Sequence, residues 1–435
     1  MKKQIFIHAG PPKTGTSALQ KWLNENINLL ASFGVFYPRH NSDSNGISSG
    51  NLFAIYSKDE SNTCIFDNSK TQALIAEFHK SEFSILFLSS EFFFKRMHEI
   101  KQHIPEAIFI CYIRDPMEKR ESLYNQGVKR HSFTDPFPKK FGEKPVPDIT
   151  LMQEFISKYS SPELIIRLYG EYYFKDSSIV SDILFILGID YKANLPYINS
   201  SYTLEALEFK RWVNNYNISE FNSDIDIALQ KITTGTNNYS LVSPDIYIKQ
   251  RNSDYIGLSD FFKQNTIENS AQFLNDLANK RQKEHRQQKI SPSDFELICQ
   301  YLKTELPDKG LKLRKKIIMN QQIGSDTYRD IFLATFKEKI NIIDKVRHFL
   351  CFKKTQNLGE NRLSSLKKLR KNLNIEESTD DAEILKEIAL FAESHGHIEF
   401  SLKIMKQAKK ERPDGPLINK KIRDYQNKLP ITPKE

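Results

Sequence analysis

The sequence predicts a three-layer α/β fold with a central parallel sheet, followed by a mainly helical C-terminal region. Three observations carry this. An apolar strand over Gln4 to His8 passes through a Gly/Pro-rich turn, Gly10 to Gly15, into a helix opening at Thr16 or Ser17. Two further apolar runs, Ser84 to Leu88 and Ala107 to Ile113, are bounded by polar residues, as expected of strands buried on both faces of a parallel sheet. From about residue 215 onward the chain is rich in Asn, Lys, Gln and aromatic residues and reads as helical.

A chain of 435 residues exceeds one ordinary core and implies two or three domains. The expected division is an α/β domain over 1–215, a mainly helical region over 216–350, and a helical appendage over 360–435. The formal charge of +9 favours anionic partners without choosing among them. Too few residues precede Gly10 for a secretory signal, and no run approaches the ~18 apolar residues of a membrane span. Cys64, Cys111, Cys299 and Cys351 are far apart and show no metal-ligand spacing, which predicts reduced structural thiols and a cytoplasmic protein without a metal site.

The first helix is amphipathic: Ala18, Leu19, Trp22, Leu23, Ile27 and Leu30 recur at three- and four-residue steps. A strand that ends in a glycine turn at a helix N-terminus gathers unpaired N–H groups and the positive end of the helix dipole, which suits a phosphate. Gly10 and Gly15 keep the glycine spacing of the nucleotide-hydrolase phosphate loop, but Thr16 stands where that loop has its lysine. The nearby lysine is Lys13, inside the turn, where it can neutralise a bridging oxygen while Thr14, Gly15, Thr16 and Ser17 supply donors. Lys13-Thr14-Gly15-Thr16-Ser17, followed by Leu19-Gln20 and Leu23, resembles the 5′-phosphosulfate loop of sulfotransferases that use 3′-phosphoadenosine 5′-phosphosulfate (PAPS). The fold this implies is of the P-loop type.

Gly34 to Pro38 reads as a return to the sheet, and the polar stretch Asn41 to Asn51 as a loop or lid near the site. A helix around Thr71 to Lys80 leads into the second strand, which ends at Ser89-Ser90-Glu91. Functional groups gather beyond the carboxyl ends of such strands. The resemblance implies that Glu91 there is the base for the acceptor hydroxyl; the competing reading is that Glu91 flanks the next helix. His8, at the end of the first strand, is a second candidate base or a satisfied strand histidine.

The strand Ala107 to Ile113 runs into Arg114-Asp115-Pro116. Asp115 suits an N-cap, Pro116 the first helical position, and Glu118 a capping-box-like return. Arg114 at the strand end and Ser122 two turns into the helix can hold a second anion. Arg114-Asp115-Pro116, Arg120, Ser122 and Tyr124 match the sulfotransferase 3′-phosphate motif, which implies that Arg114 and Ser122 bind that phosphate. The other assignment of Arg114 is a surface cation paired with Asp115 or Glu118.

Lys129 to Pro147 is basic and Pro-rich (Lys129, Arg130, Lys139, Lys140, Lys144) and too irregular for a helix; it borders the acceptor cleft or is a solvated loop. Leu164 to Tyr169 reads as a strand, and Ile179 to Leu187 as a helix ended by Gly188. This unit is similar to the last βα unit of bacterial and glycosaminoglycan-type members, and Asn199-Ser200-Ser201-Tyr202 to a segment that follows in many of them. Leu204 to Val213, Ile267 to Leu277 and the segment opened by Ser291-Pro292-Ser293-Asp294 read as helices, the second packed on the first domain. Leu385, Ile388, Ala389, Ala392, Gly396, Ser401, Ala408 and Pro413 follow the small-residue spacing of a tetratricopeptide hairpin; one unit is too few for a solenoid.

The resemblance, over roughly 1–215, implies sulfuryl transfer from PAPS to a hydroxyl or amine, with Lys13 and Glu91 catalytic and no metal. A bacterial carbohydrate or glycolipid is the expected acceptor, with a small alcohol or a peptide tyrosine left open, and part of the 216–350 region, where Ile267 to Leu277 has the pattern of a packed helix, is expected to complete the acceptor side. No nucleic-acid partner is expected, any membrane contact is peripheral, at the inner face, and the C-terminal helices are a surface for docking or dimerisation. Two rivals stand beside it: a nucleotide kinase or NTPase, and a non-catalytic carbohydrate-binding or scaffold protein with a degenerate loop.

Overall fold

In the computed structural model, β1 (Gln4–His8) is the middle strand of a five-stranded parallel sheet. The structure describes residues 3–41, 48–138, 141, 146–159, 163–193, 201–319, 326–336, 380–394 and 397–429. The other strands of the sheet are β2 (Val35–Phe36), β5 (Ile85–Ser89), β6 (Ala107–Ile113) and β7 (Leu164–Leu168); a separate antiparallel hairpin, β3 (Tyr56–Lys58) with β4 (Cys64–Phe66), lies between β2 and β5 in the chain. The order across the sheet is β2-β5-β1-β6-β7.

The strands are apolar throughout because the sheet is covered on both faces. Successive residues alternate between two cores. Ile5, Ile7, Leu86, Leu88, Phe109 and Cys111 join one, and Phe6, Ile85, Phe87, Ile110 and Tyr112 the other. The second core is closed by α1 (Thr16–Glu25), α2 (Ile27–Ser32) and α8 (Ile179–Ile186) through Leu19, Trp22, Leu23, Leu30, Ile183 and Leu184. On the opposite face, α4 (Asn68–Lys80), α5 (Met97–His103) and α7 (Pro147–Lys158) contribute Phe78, Ile100 and Phe155. Each such side chain, once buried, contributes about 1.5–3 kcal/mol, so the two cores jointly define which edge of the sheet is left open.

The long helix expected after the glycine turn is two helices. Asn26 breaks it: its backbone leaves the helical region at φ −114° and its Nδ2 donates to the Trp22 carbonyl at 2.8 Å, so α2 starts anew while Leu30 still reaches the core. Lys129 and Arg130, read as loop, are the last two residues of α6 (Pro116–Arg130), and Pro147 opens α7 rather than closing an irregular stretch. Lys139, Lys140, Lys144, Asn199, Ser200, Cys351 and Gly396 lie outside the described residues.

One charged residue interrupts β7. Arg167 forms a two-point pair with the fully buried Asp182 of α8, Nη2 to Oδ1 at 2.6 Å and Nε to Oδ2 at 3.2 Å, and Tyr112 donates to the same carboxylate at 2.7 Å. The charge is tolerated because its partner is fixed and hydrogen-bonded, and the network ties α8 to β6 and β7.

The chain divides into two compact units, 1–214 with 226–290, and 215–225 with 291–435. In the first, α11 (Pro244–Gln264) and α12 (Ser270–Asn279) add Leu258, Phe261, Phe273 and Leu277 to the core beneath the sheet. In the second, Ser291 caps the Pro292–Glu305 helix by accepting from the Asp294 N–H at 3.1 Å. Near its end three helices, Asp381–Ser394, Ile398–Glu411 and Pro416–Lys428, close around Leu385, Ile388, Met405, Ala408, Ile422 and Tyr425. The third was not foreseen; Tyr425 and Lys421 fix it by donating to Glu393 at 2.8 and 2.6 Å.

Candidate functional site

The glycine turn lies at the carboxyl end of β1, the middle of the open edge. The Tyr112 N–H donates to the Gly10 carbonyl at 3.1 Å, which anchors the start of the turn to β6. The Gly10–Pro11 peptide is cis. Thr14 is buried and donates through Oγ1 to the Pro11 carbonyl at 2.6 Å, closing the turn on itself. Gly15 caps α1 at φ +75°, and a Cβ there would stand 3.1 Å from Ile179 Cδ1 and 3.2 Å from Tyr169 Cε2, so a left-handed residue without a side chain is required.

Helix α1 begins with no side-chain cap and no acidic residue in its first turn. The first helical bond of the turn is Leu19 N–H to Gly15 C=O at 3.1 Å, which leaves the N–H groups of Thr16, Ser17 and Ala18 at the helix end directed towards the turn. Ser17 is exposed. This arrangement can hold an anion.

Lys13 also has a left-handed backbone, at φ 68°, which costs about 1–2 kcal/mol for a side-chain-bearing residue. Arg114 holds it there: Nη1 donates to the Lys13 carbonyl oxygen at 2.8 Å. The same guanidinium contacts Glu118 Oε2 at 3.3–3.4 Å and lies over the Tyr169 ring, 5.1 Å from its centre. Glu118 closes no capping box; its other oxygen accepts from Lys280 at 2.5 Å, and Lys280 also binds Asp115 at 2.8 Å. Asp115 meanwhile caps α6 by accepting from the Met117 and Glu118 N–H groups at 2.9 and 3.3 Å. Burial pushes the Lys13 ammonium below its usual proton affinity, and Arg114 and Arg130 push it further, against the opposing pull of Glu91.

Glu91 sits against the turn. A Cβ on Gly10 would lie 3.2 Å from Glu91 Cα, and Thr16 donates to Glu91 Oε2 at 3.4 Å. Glu91 also opens the short helix Glu91–Arg96, whose cap is Ser90, so it flanks that helix as well as the turn. The end of the polar loop is tied here as well: the Ser89 N–H donates to Asn51 Oδ1 at 2.9 Å and Ser90 donates to the Ser49 carbonyl at 2.6 Å. Residues 42–47 of that loop lie outside the described residues.

The structure thus gathers Lys13, Thr14, Gly15, Thr16, Glu91 and Arg114 at one point. Ser122 is half-buried on α6, and among the described residues its hydroxyl makes no hydrogen bond. His8 is fully buried, holds Ser89 Oγ through Nδ1 at 2.9 Å, and is pushed down to about 3 by burial, so it is neutral near pH 7. Two cations of the basic stretch also lie near the turn: Lys129, lowered to about 8 chiefly by burial and partly by Lys13 and Arg130, and Arg130 itself, 3.9 Å from Asp226.

Pro12 and Glu91 form one side of a cavity of about 530 Å3. Its other walls are α6, through Leu123, Tyr124 and Gly127, and the segment after α6, through Phe133, Phe137 and Phe141. Arg120 borders it with both terminal nitrogens on Asp254, at 2.5 and 2.8 Å. The stretch offered as a cleft border contains this wall, but its lysines are the expected contacts, and the rings are signalled only by the four-residue recurrence of Phe133, Phe137 and Phe141.

Among the described residues no group of three or more His, Cys, Asp or Glu side chains could hold a metal ion, and no helix is long and apolar enough to cross a membrane. No protein-family model and no curated protein matches the chain. Among solved structures it is similar to a sulfotransferase from Alicyclobacillus acidocaldarius at 12% identity, over 62% of this chain and 99% of that one, with a TM-score of 0.35. At that level the likeness carries neither a fold assignment nor a function, and both rest on the residues and geometry of this chain.

Proposed function

We propose that the protein is a sulfotransferase that moves a sulfuryl group from PAPS to an acceptor hydroxyl. The observation that carries this reading is the lysine within the turn: Lys13 stands beside uncapped helix N–H groups on one side and Glu91 on the other, with its carbonyl held by Arg114. A loop lysine at this place serves a leaving oxygen, and an adjacent carboxylate serves an attacking one.

In this scheme Glu91 takes the acceptor proton as the new S–O bond forms. The S–O bond to the donor phosphate breaks, and Lys13 neutralises the charge that develops on the leaving oxygen. The N–H groups of Thr16, Ser17 and Ala18 and the hydroxyl of Ser17 hold the 5′-phosphosulfate. Arg114, drawn into the loop through Lys13, supplies the guanidinium for the 3′-phosphate in this scheme, with Ser122 further along α6. Positioning and fixed charges account for this chemistry without a metal.

Calorimetry with 3′-phosphoadenosine 5′-phosphate tests it. Binding is expected to be tight, to be weakened at least about tenfold in Arg114→Ala, and to exceed that of nucleotides without a 3′-phosphate. Equal or stronger binding of ATP would favour a kinase or NTPase and overturn the assignment. Transfer of radiolabelled sulfate from PAPS, absent in Lys13→Ala, separates an enzyme from a binding protein with a degenerate loop.

A further inference from the structure

The cavity beside Glu91 has walls made mostly of rings, with Leu123, Arg120, Gln126 and Gly127 between them. We infer that it receives an aryl alcohol, a flat phenol-class acceptor of two or three rings; the fate of its hydroxyl rests on the sulfuryl-transfer reading, whereas its binding does not.

Four features support this. Leu123 and Phe133 are 41% and 49% exposed, an unusual cost for large apolar side chains that face the same opening. The Phe133 ring packs directly against Gly127, where a Cβ would come within 2.4 Å of it, so the absence of a side chain at 127 is what lets the slot wall approach the helix. Tyr124 and Phe137, then Phe137 and Phe141, meet edge to face at 5.1 and 5.6 Å between centres, which fixes the orientation of one ring by the next. The volume, about 530 Å3, compares with the ~150 Å3 apolar cavity that accommodates one benzene.

Of the polar groups that line the wall, Gln126 and His131 among them, Tyr124 and Arg120 are already engaged. The Tyr124 hydroxyl donates to the Asp135 carbonyl at 2.9 Å and accepts from Gln288 at 2.8 Å. The Arg120 charge is matched by Asp254, and its guanidinium lies over Phe141, 5.4 Å from the ring centre. A sulfated or uronate-bearing glycan needs cations with their forks open and rows of donors, and this wall presents rings instead. Glu91 is the acidic group on the wall, so an aryl alcohol seated among the rings presents its O–H there. The phenolic proton passes to Glu91, the phenolate oxygen bonds to sulfur, and the nucleotide phosphate leaves with the electrons of the broken S–O bond.

The test uses the full chain and 2-naphthol, followed by its own fluorescence in the absence of donor. Saturable binding at sub-millimolar concentration is expected, weakened at least about tenfold in Leu123→Glu and in Phe133→Asp. Both positions are exposed, and circular dichroism checks that the variants fold. No saturable binding, or equal binding in wild type and both variants, overturns the inference, as does transfer of sulfate to an uncharged or uronate polysaccharide but not to naphthol. Binding of 3′-phosphoadenosine 5′-phosphate on the same samples reports the reaction separately. Donor-product binding without naphthol binding removes the aryl site and leaves the reaction, and naphthol binding without donor-product binding does the reverse.

Discussion

Arg114 Nη1 donates to the main-chain oxygen of Lys13 at 2.8 Å, joining two points that are 101 positions apart in the chain. The carboxyl end of β6 thereby fixes the turn that follows β1, and the left-handed backbone of Lys13 is held by a charged donor rather than by the turn alone.

Loss of this contact is the first prediction. A hydrogen bond to a charged group contributes about 1.5–3 kcal/mol, so Arg114→Ala is expected to weaken binding of 3′-phosphoadenosine 5′-phosphate by at least about tenfold to a hundredfold. Arg114→Lys should recover little, because an ammonium cannot reach the Lys13 carbonyl and Glu118 with the same fork. Isothermal calorimetry measures both variants; wild-type affinity in Arg114→Lys would show that charge alone is required.

The second concerns Lys13 itself. Its carbonyl is held by Arg114, and the proposed scheme gives its ammonium to the leaving oxygen, so Lys13→Ala should lower the transfer rate by about 10²–10³. Thermal melting of the variant should differ little from wild type, since the side chain is only half-buried and makes no described ion pair. Undiminished transfer in Lys13→Ala would exclude the assigned role.

Why some of this was readable in advance follows from where each interaction is encoded. The strands are legible because a sheet covered on both faces demands unbroken apolar runs, and the Asp115-Pro116 cap because its partners are two and three residues away. The break at Asn26 is not, since Leu30 keeps the apolar period and only the Asn26 side chain diverts the backbone. The ion pairs Arg120–Asp254 and Lys280–Glu118 join positions more than a hundred residues apart and have no local pattern at all. Around 129–147 lysines and prolines dominate the composition, and the regular spacing of Phe133, Phe137 and Phe141 does not by itself say which cavity the rings line.

A third prediction uses Lys129. Its ammonium lies 4.0 Å from the centre of the Tyr202 ring, and its proton affinity falls to about 8, mainly through burial, with Asp226 opposing the shift and Lys13 and Arg130 adding to it. Below about pH 8 it is charged and adds to the field at the turn; above that it is neutral. Binding of the anionic donor product should therefore weaken as the pH rises from 7 to 9. Lys129→Arg keeps its charge across that range and should flatten this limb; an unchanged profile in the variant would assign the titration to another group.

The fourth concerns stability in acid. His8 is fully buried, with Nδ1 on Ser89 and no described partner for Nε2, and burial pushes it down to about 3. Unfolded, it titrates near 6.5. Between those values the unfolded chain binds a proton that the folded chain does not, so the stability due to neutral His8 is complete above about 6.5 and declines as the pH falls. The limiting slope is about 1.4 kcal/mol per pH unit. His8→Asn retains a polar atom for Ser89 but has no such titration, so between pH 6.5 and 5 it should lose about 2 kcal/mol less than wild type in urea unfolding. Parallel losses in the two proteins would mean that His8 is protonated in the folded state, and that a compensating partner reaches its Nε2.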